Sequence, residues 1–351
     1  MPGTDTKSMT GAGARGCARQ VVSGVLGLFW NREERRLRAP WRLALALVCF
    51  GVLVAAIGIA ATVLAIGPVI GAALSATVPE SALSALDRVA GLLLTAAVAV
   101  VVVWLAGRFL DRRPFAAFGF RFDRGWWLDF VFGLTLGAGL MAAIFLVEVA
   151  AGWVTVASVV SNPLGTGVAT ELLAAVLLFV AVGIYEELVF RGYLLTNAAE
   201  GLVGVPFVTP RRAIALATLS TAGLFGAVHA ANPNATLLST ANIAFAGVFL
   251  ATGYLLTAEL AIPIGLHITW NLFQGTVFGF PVSGTALGAS VLVTRQSGPS
   301  ALTGGSFGPE AGLVGLGAMV LGTLAIVAWV ERRQGAVGLR EAVTTPELRW
   351  R

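Results

Sequence analysis

The chain has 351 residues, of which 57% are hydrophobic and 12% are charged, and its mean hydropathy is +0.86. Soluble domains carry about 25% charged residues, so this chain has too little polar surface to cover a soluble globule of its size. The composition therefore excludes a cytosolic enzyme, a secreted disulfide scaffold and a disordered tail protein. The net charge of +5 arises from residues that lie between apolar segments, so we expect no nucleic-acid partner.

Eight apolar segments are long enough to be predicted as membrane-spanning helices, since about 20 residues cross roughly 30 Å of hydrocarbon. The sequence therefore predicts an all-α, polytopic membrane helix bundle with about eight transmembrane helices. In chain order the predicted spans are Leu43–Ile66, Val89–Ala106, Leu128–Ala151, Glu171–Leu195, Ala213–His229, Leu237–Thr257, Leu260–Phe280 and Gly312–Val330.

The positions of the arginines predict the orientation of these spans, because basic residues accumulate on the cytoplasmic side. Basic residues are frequent before the first span, between the second and third, before the fifth and after the eighth. With the N-terminus inside, all four regions are cytoplasmic, and the outer side carries Arg88 and Arg295. We therefore expect a multi-pass protein of the bacterial cytoplasmic membrane with both termini in the cytoplasm.

The fourth predicted span contains a cluster of three charged residues, Glu186, Glu187 and Arg191, although a charged group within a bilayer costs roughly 2.5–3.5 kcal/mol. Glu187 and Arg191 are four residues apart and share one helix face, where they can form an ion pair. Glu186 points elsewhere and has no local cationic partner. It is therefore the candidate general base, while a purely structural network of Glu186, Glu187 and Arg191 is the alternative interpretation.

The two histidines of the chain both lie in predicted spans. His229 follows Phe225 by one helical turn, and His267 precedes Asn271 by one turn. A single histidine in a membrane often serves only as a hydrogen-bond partner between helices. Two histidines together with a glutamate pair and an asparagine favour a functional site instead.

These residue types are suited to hydrolysis, and they leave two mechanisms open. In the first, the Glu186 carboxylate deprotonates a water, and imidazole and amide groups donate hydrogen bonds to the developing oxyanion. In the second, Glu186, His229 and His267 are the three protein ligands of a catalytic zinc ion with one open position.

The three motifs together resemble the CPBP family, which contains the type II CAAX prenyl endopeptidases and the Abi-type membrane proteins. The motifs are Glu186-Glu187 with Arg191 (EExxxR), Phe225 to His229 (FxxxH) and His267 to Asn271 (HxxxN). The similar stretch runs from about residue 130 to 280.

The resemblance implies an eight-helix bundle around an intramembrane polar cavity, and it implies hydrolysis of peptide bonds. It assigns water activation to Glu186 with assistance from His229, and the oxyanion site to His267 and Asn271. Glu187, Arg191 and Phe225 order the motifs. Members have been described both as metalloproteases and as glutamate proteases, so the resemblance does not decide whether zinc is bound.

The predicted organisation follows from the spans and the motifs. Residues 1–42 are a basic cytoplasmic tail, 43–125 contain the first two spans and a cytoplasmic loop, and 126–280 are the CAAX-protease-like catalytic core. Residues 281–311 are an outer Gly/Ser-rich loop, 312–330 the last span and 331–351 a cytoplasmic tail.

Three functions are consistent with this organisation. The first is an intramembrane endopeptidase acting on membrane-embedded or membrane-associated proteins or peptides. The second is a non-proteolytic scaffold or bacteriocin-immunity protein of the same family. The third is a small-solute transporter, which the sequence supports least because it has no evident repeat and no second acidic relay.

One expectation from the predicted spans conflicts with a single site. At 1.5 Å per helical residue, Glu186 and His267 lie about 8 and 10 Å from the inner boundary. His229 lies roughly 24 Å from the same boundary. Side chains of one active site should agree more closely in depth.

Overall fold

The computed structural model describes residues 27–63, 80–161, 167–286 and 289–349. Residues 1–26 of the predicted N-terminal tail lie outside the described residues. The described residues are mostly helical and form no closed sheet, which confirms the predicted all-α membrane bundle.

Ten α-helices and two short antiparallel strand pairs make up the described part of the chain. The helices are α1 (Ala39–Val63), α2 (Glu80–Ala106), α3 (Arg124–Ala150), α4 (Val168–Glu187), α5 (Thr196–Val203), α6 (Pro210–His229), α7 (Leu237–Thr257), α8 (Ala261–Asn271), α9 (Ser300–Thr303) and α10 (Leu313–Gln334). Strand β1 (Trp30–Asn31) pairs with β2 (Arg36–Leu37), and β3 (Val154–Ser161) pairs with β4 (Ser290–Gln296). Three π-helical segments continue α2, α4 and α8, at Gly107–Asp111, Leu188–Leu195 and Leu272–Val277.

Helices occupy all eight positions at which spans are predicted, but within the described residues six are long and apolar enough to cross a membrane. The fourth span is longer than predicted, because α4, the π-helical segment and α5 form one helix from Val168 to Val203. The other two predicted spans correspond to α6 and to α8 with its π-helical continuation. The latter ends at Val277 instead of Phe280.

Helix α8 is the centre of the bundle, since every residue from Ala261 to Trp270 is buried. It packs most extensively against α3, and also against α4 and α7. Glycines permit the contact with α3: a Cβ atom at Gly133 or at Gly137 would overlap the α8 backbone. The small residues thus bring two helices together closely enough to fix the position of α8.

Replacement of Gly137 by alanine is expected to destabilise the protein by about 1–3 kcal/mol, because the added methyl overlaps the Leu266 carbonyl oxygen and the Thr269 hydroxyl. Gly139→Ala on the same helix is the matched control, because no atom lies within 4 Å of its Cβ position. Thermal unfolding of both variants in detergent measures the difference. Equal melting temperatures for the two variants would contradict the proposed close contact.

Three of the arginines that predict the orientation are buried in ion pairs. Arg36, Arg42 and Arg113 all contact the carboxylate of Glu200, with Oε1 of Glu200 2.6 Å from Arg36 Nη2 and 2.7 Å from Arg42 Nη2. Arg42 also lies 3.2 Å from Asp111. This arginine cluster attaches the start of α1 to α5 and to the π-helical segment after α2.

The described residues of the predicted outer loop 281–311 pack against the helix bundle. We define the cap segment as residues 281–286 and 289–312. It contributes β4, α9 and a turn of 3₁₀-helix at Pro309–Ala311. Phe307 and Ala311 pack against Phe225 and Ile243, and Asn242 Nδ2 donates a 2.8 Å hydrogen bond to the Ala311 carbonyl. The segment therefore covers one end of α6 and α7.

Candidate active site

The glutamate pair lies where the geometry of its helix changes. Helix α4 ends at Glu187, and the π-helical segment Leu188–Leu195 follows directly. Inserted π-helical turns are rare and frequently occur at functional sites. Glu187 and Arg191 are both buried, and Arg191 Nη1 donates a 2.8 Å hydrogen bond to Glu187 Oε1. This is the ion pair that the four-residue spacing predicts.

Glu187 also orients His267. The same oxygen, Oε1 of Glu187, lies 2.8 Å from Nδ1 of His267. Because a carboxylate that already accepts from Arg191 can only accept, Nδ1 is the donor in this contact. The Nε2 atom of His267 is consequently an acceptor in the neutral ring, and it donates a hydrogen bond only after the ring takes up a second proton.

Glu186 faces the other side of His267. Its Oε1 atom accepts a 3.0 Å hydrogen bond from the Tyr185 hydroxyl. Its Oε2 atom lies 3.9 Å from His267 Nε2 and accepts no hydrogen bond from the described residues. The Glu186 side chain is 13% exposed, whereas that of Glu187 is fully buried. Glu186 therefore has one carboxylate oxygen without a hydrogen-bond donor among the described residues, beside Nε2 of His267.

Phe225 connects the second histidine with the first. Its backbone carbonyl accepts a 2.7 Å hydrogen bond from His229 Nδ1, which leaves Nε2 of His229 as the free ring nitrogen. The Phe225 ring centroid lies 4.6 Å from the His229 centroid and 6.5 Å from the His267 centroid. Its face also covers the Arg191 guanidinium, with 4.6 Å between the guanidinium carbon and the ring centroid. Phe225 thus contacts a residue of each of the three motifs.

A cavity of about 40 Å³ lies between the remaining candidates. His229, His267 and Asn271 all line it, together with apolar and aromatic side chains of α6, α7 and α8. Glu186 lies next to His267 and not on the cavity wall itself. The two histidines therefore share one cavity despite the unequal depths calculated from the predicted spans.

Glu186, His229 and His267 are the predicted zinc ligands, and their positions can be compared with those that a zinc site requires. Within the described ranges, no group of three or more histidine, cysteine, aspartate or glutamate side chains is arranged so that it could hold a metal ion. The trio Glu186, His229 and His267 does not converge in this way, so these residues as placed here do not fit a three-ligand zinc site.

Sequence reasoning overlooked one acidic residue of the site. Glu310, from the cap segment, lines the same cavity as His229, His267 and Asn271, and it is 3% exposed. Its oxygens accept hydrogen bonds from the Ser283 backbone N–H, at 2.6 Å, and from the Gln274 side chain. The available signal was that Glu310 is the single acidic residue between positions 281 and 311.

The central part of the chain is similar to a known protein family. Residues 168–273 match the family model described as "Type II CAAX prenyl endopeptidase Rce1-like". No curated protein and no solved structure gives a significant match. The matched residues contain all three motifs, from Glu186 to Asn271. The match confirms the predicted resemblance to the CPBP intramembrane proteases, and it supports activity of the CAAX protease type in general terms.

Proposed function

We propose that this chain, whose residues 168–273 resemble the type II CAAX prenyl endopeptidases, is an intramembrane endopeptidase that uses a water activated by Glu186. The observation that carries the proposal is a series of three side-chain contacts. Glu186 contacts His267, His267 contacts Glu187, and Glu187 contacts Arg191. The series gives a carboxylate oxygen without a partner among the described residues, beside a histidine whose orientation is fixed.

In the proposed reaction, Glu186 takes a proton from a water, and the resulting hydroxide attacks the carbonyl carbon of the scissile peptide bond. Asn271 Nδ2 and the protonated Nε2 of His267 donate hydrogen bonds to the oxyanion that forms. Glu186 then returns its proton to the leaving amine as the peptide bond breaks. His229, with Nε2 free on the cavity wall, assists in positioning the water.

Glu187 and Arg191 act as positioning residues in this proposal. Glu187 holds the imidazole of His267 through Nδ1, and the protonated ring is stabilised by the same carboxylate. Arg191 holds that carboxylate in place through its ion pair, and the guanidinium also donates a 3.2 Å hydrogen bond to the Gly247 carbonyl. The motif residues of α4 are thereby tied to α7 and α8.

We propose membrane-embedded or membrane-associated proteins and peptides as the substrates. The test compares membrane and released peptides, by mass spectrometry, between cells that carry the wild type and cells that carry Glu186→Gln. Loss of specific peptides in the variant, at equal protein abundance, supports the endopeptidase.

Two other outcomes would replace the proposal. Identical peptide sets with a persisting phenotype, such as bacteriocin resistance, would indicate the non-proteolytic scaffold or immunity protein. Solute flux in proteoliposomes that ceases with Glu186→Gln would indicate the transporter.

Chelation is expected to leave at least about half of the cleavage activity, because the described histidines and carboxylates do not converge on a metal. The measurement incubates the purified protein with 1,10-phenanthroline, and with the non-chelating 1,7-isomer as the control. A loss of more than about ten-fold that micromolar Zn²⁺ restores would establish the zinc mechanism instead.

The several apolar helices and the protease-family match indicate a multi-pass membrane protein. Its placement in a bacterial cytoplasmic membrane with both termini inside stays a prediction, supported by the arginine distribution.

A further inference from the structure

Glu310 is a buried carboxylate on the wall of the candidate active site that the proposed reaction does not use. It lies in the 3₁₀ turn Pro309–Ala311, immediately before α10, and it is 3% exposed. The cavity that it lines also contains His229, His267 and Asn271. Whatever occupies the cavity beside the reactive residues is therefore close to this carboxylate.

The hydrogen-bond partners of Glu310 are electrically neutral. Oε1 accepts from the backbone N–H of Ser283, and Oε2 accepts from the side-chain amide of Gln274. No arginine, lysine or histidine of the described residues forms an ion pair with it. Burial accordingly raises the pKa of Glu310 to about 7, since desolvation outweighs these hydrogen bonds.

A buried carboxylate without a cation is costly, and the cost falls when a cation binds. Every hydrogen bond that Glu310 accepts comes from a neutral donor, so none of them supplies a compensating positive charge. A guanidinium or an ammonium group would supply that charge through charge-assisted hydrogen bonds. Trp270 and Phe249 line the same cavity and supply aromatic faces, which also attract cations.

We propose that Glu310, with the aromatic wall formed by Trp270 and Phe249, is a subsite for a lysine or arginine side chain of the peptide bound beside His267 and Asn271. The inference rests on the proposed function, because it assumes that a peptide occupies the cavity. The subsite should also discriminate between ligands by charge. A C-terminal carboxylate placed in the same cavity meets the like charge of Glu310 and is disfavoured.

A binding experiment in the Glu186→Gln background tests the subsite without depending on cleavage. The full-length protein in detergent is titrated with acetyl-Leu-Arg-Leu-amide, and with the analogues that carry norleucine or glutamate at the central position. We expect the arginine peptide to bind about 10- to 100-fold more tightly than the norleucine peptide, in keeping with a hydrogen bond between charged groups.

Two variants remove the preference in different ways. Glu310→Gln keeps the shape and the acceptor for Ser283 but removes the charge. Gln274→Lys leaves Glu310 unchanged and supplies a cation beside it. Both are expected to reduce the arginine preference to less than about three-fold. The matched control is Glu148→Gln, which neutralises another fully buried carboxylate that lies beside Gln296 and does not line this cavity.

The outcomes separate the subsite from the proposed reaction. An arginine preference that persists in both variants, or no measurable binding of the arginine peptide at millimolar concentration, would overturn the subsite. Cleavage sites in cells that lack basic residues near the scissile bond would also overturn it while leaving the endopeptidase intact. Binding that depends on Glu310, with no peptide lost in Glu186→Gln cells, would retain the subsite and reject the reaction.

Discussion

Glu186→Gln is expected to lower the rate of peptide cleavage by about 10²- to 10⁴-fold, the contribution of a positioned general base. Gln has the shape of Glu, so the hydrogen bond from the Tyr185 hydroxyl can persist. It cannot take a proton from the water that the proposed reaction requires beside the carboxylate. The loss should therefore appear in kcat, with KM changed little, because the residue acts on the water and not on peptide binding.

The matched control for this variant is Glu171→Gln on the same helix. Glu171 is buried, and it lies fifteen residues before Glu186, or about 22 Å along the helix axis. We expect wild-type cleavage from it. The assay uses purified protein in proteoliposomes with a peptide whose release depends on the wild-type protein. Retention of more than about a tenth of the rate by Glu186→Gln would remove Glu186 from the role of base.

The spacing of the motif residues was sufficient to predict local contacts. The four-residue separation of Glu187 and Arg191 predicts their ion pair, and the same separation brings Phe225 and His229 into contact. Both contacts join residues only four positions apart in the chain, so the local sequence decides which side chains meet. The apolar patterns likewise predicted a helix at each of the eight positions, although the second helix begins nine residues earlier than predicted and the fourth ends eight residues later.

The contacts between helices could not be predicted in this way. The depths calculated for His229 and His267 assume straight helices with one rise per residue that begin at the predicted boundaries. The chain instead has π-helical segments directly after Glu187 and after Asn271, which alter the rise and the facing of the helices beside both motifs. Glycine-rich packing of α3 on α8 sets the position of His267, and composition alone does not reveal it.

Glu310 was missed for a related reason. A Gly/Ser-rich stretch between two spans is typical of an exposed loop, and it carries no periodicity that would place one residue inward. Its position depends on Asn242 and on the packing of Phe307 against Phe225, both of which join distant parts of the chain. The single acidic residue of the outer segment was therefore the best available indication.

Glu187→Met is expected to cost about 3–5 kcal/mol of stability, because it leaves the buried guanidinium of Arg191 without a carboxylate. Arg191 is 2% exposed, so water cannot replace the lost partner. The remaining contacts of the guanidinium are the Gly247 carbonyl and the faces of Phe190 and Phe225. Arg191→Met should cost less, since Glu187 keeps its hydrogen bond from His267.

The double variant Glu187→Met/Arg191→Met distinguishes structural support from positioning. Replacing a buried ion pair by apolar side chains of similar volume is often neutral, so most of the stability should return. Cleavage should not return, because His267 no longer has an acceptor for Nδ1 and loses its fixed orientation. Stability is measured by denaturant titration in mixed micelles, and cleavage in the same preparations.

Arg121→Met provides the matched control for the loss of a cation. Arg121 lies 3.1 Å from Glu259 but its side chain is 54% exposed, so the cost should be below about 1 kcal/mol. If the double variant regained both stability and cleavage, Glu187 and Arg191 would serve packing alone, and His267 would need no carboxylate to act. If it regained stability without cleavage, the shared oxygen of Glu187 is what couples the ion pair in α4 to the histidine in α8.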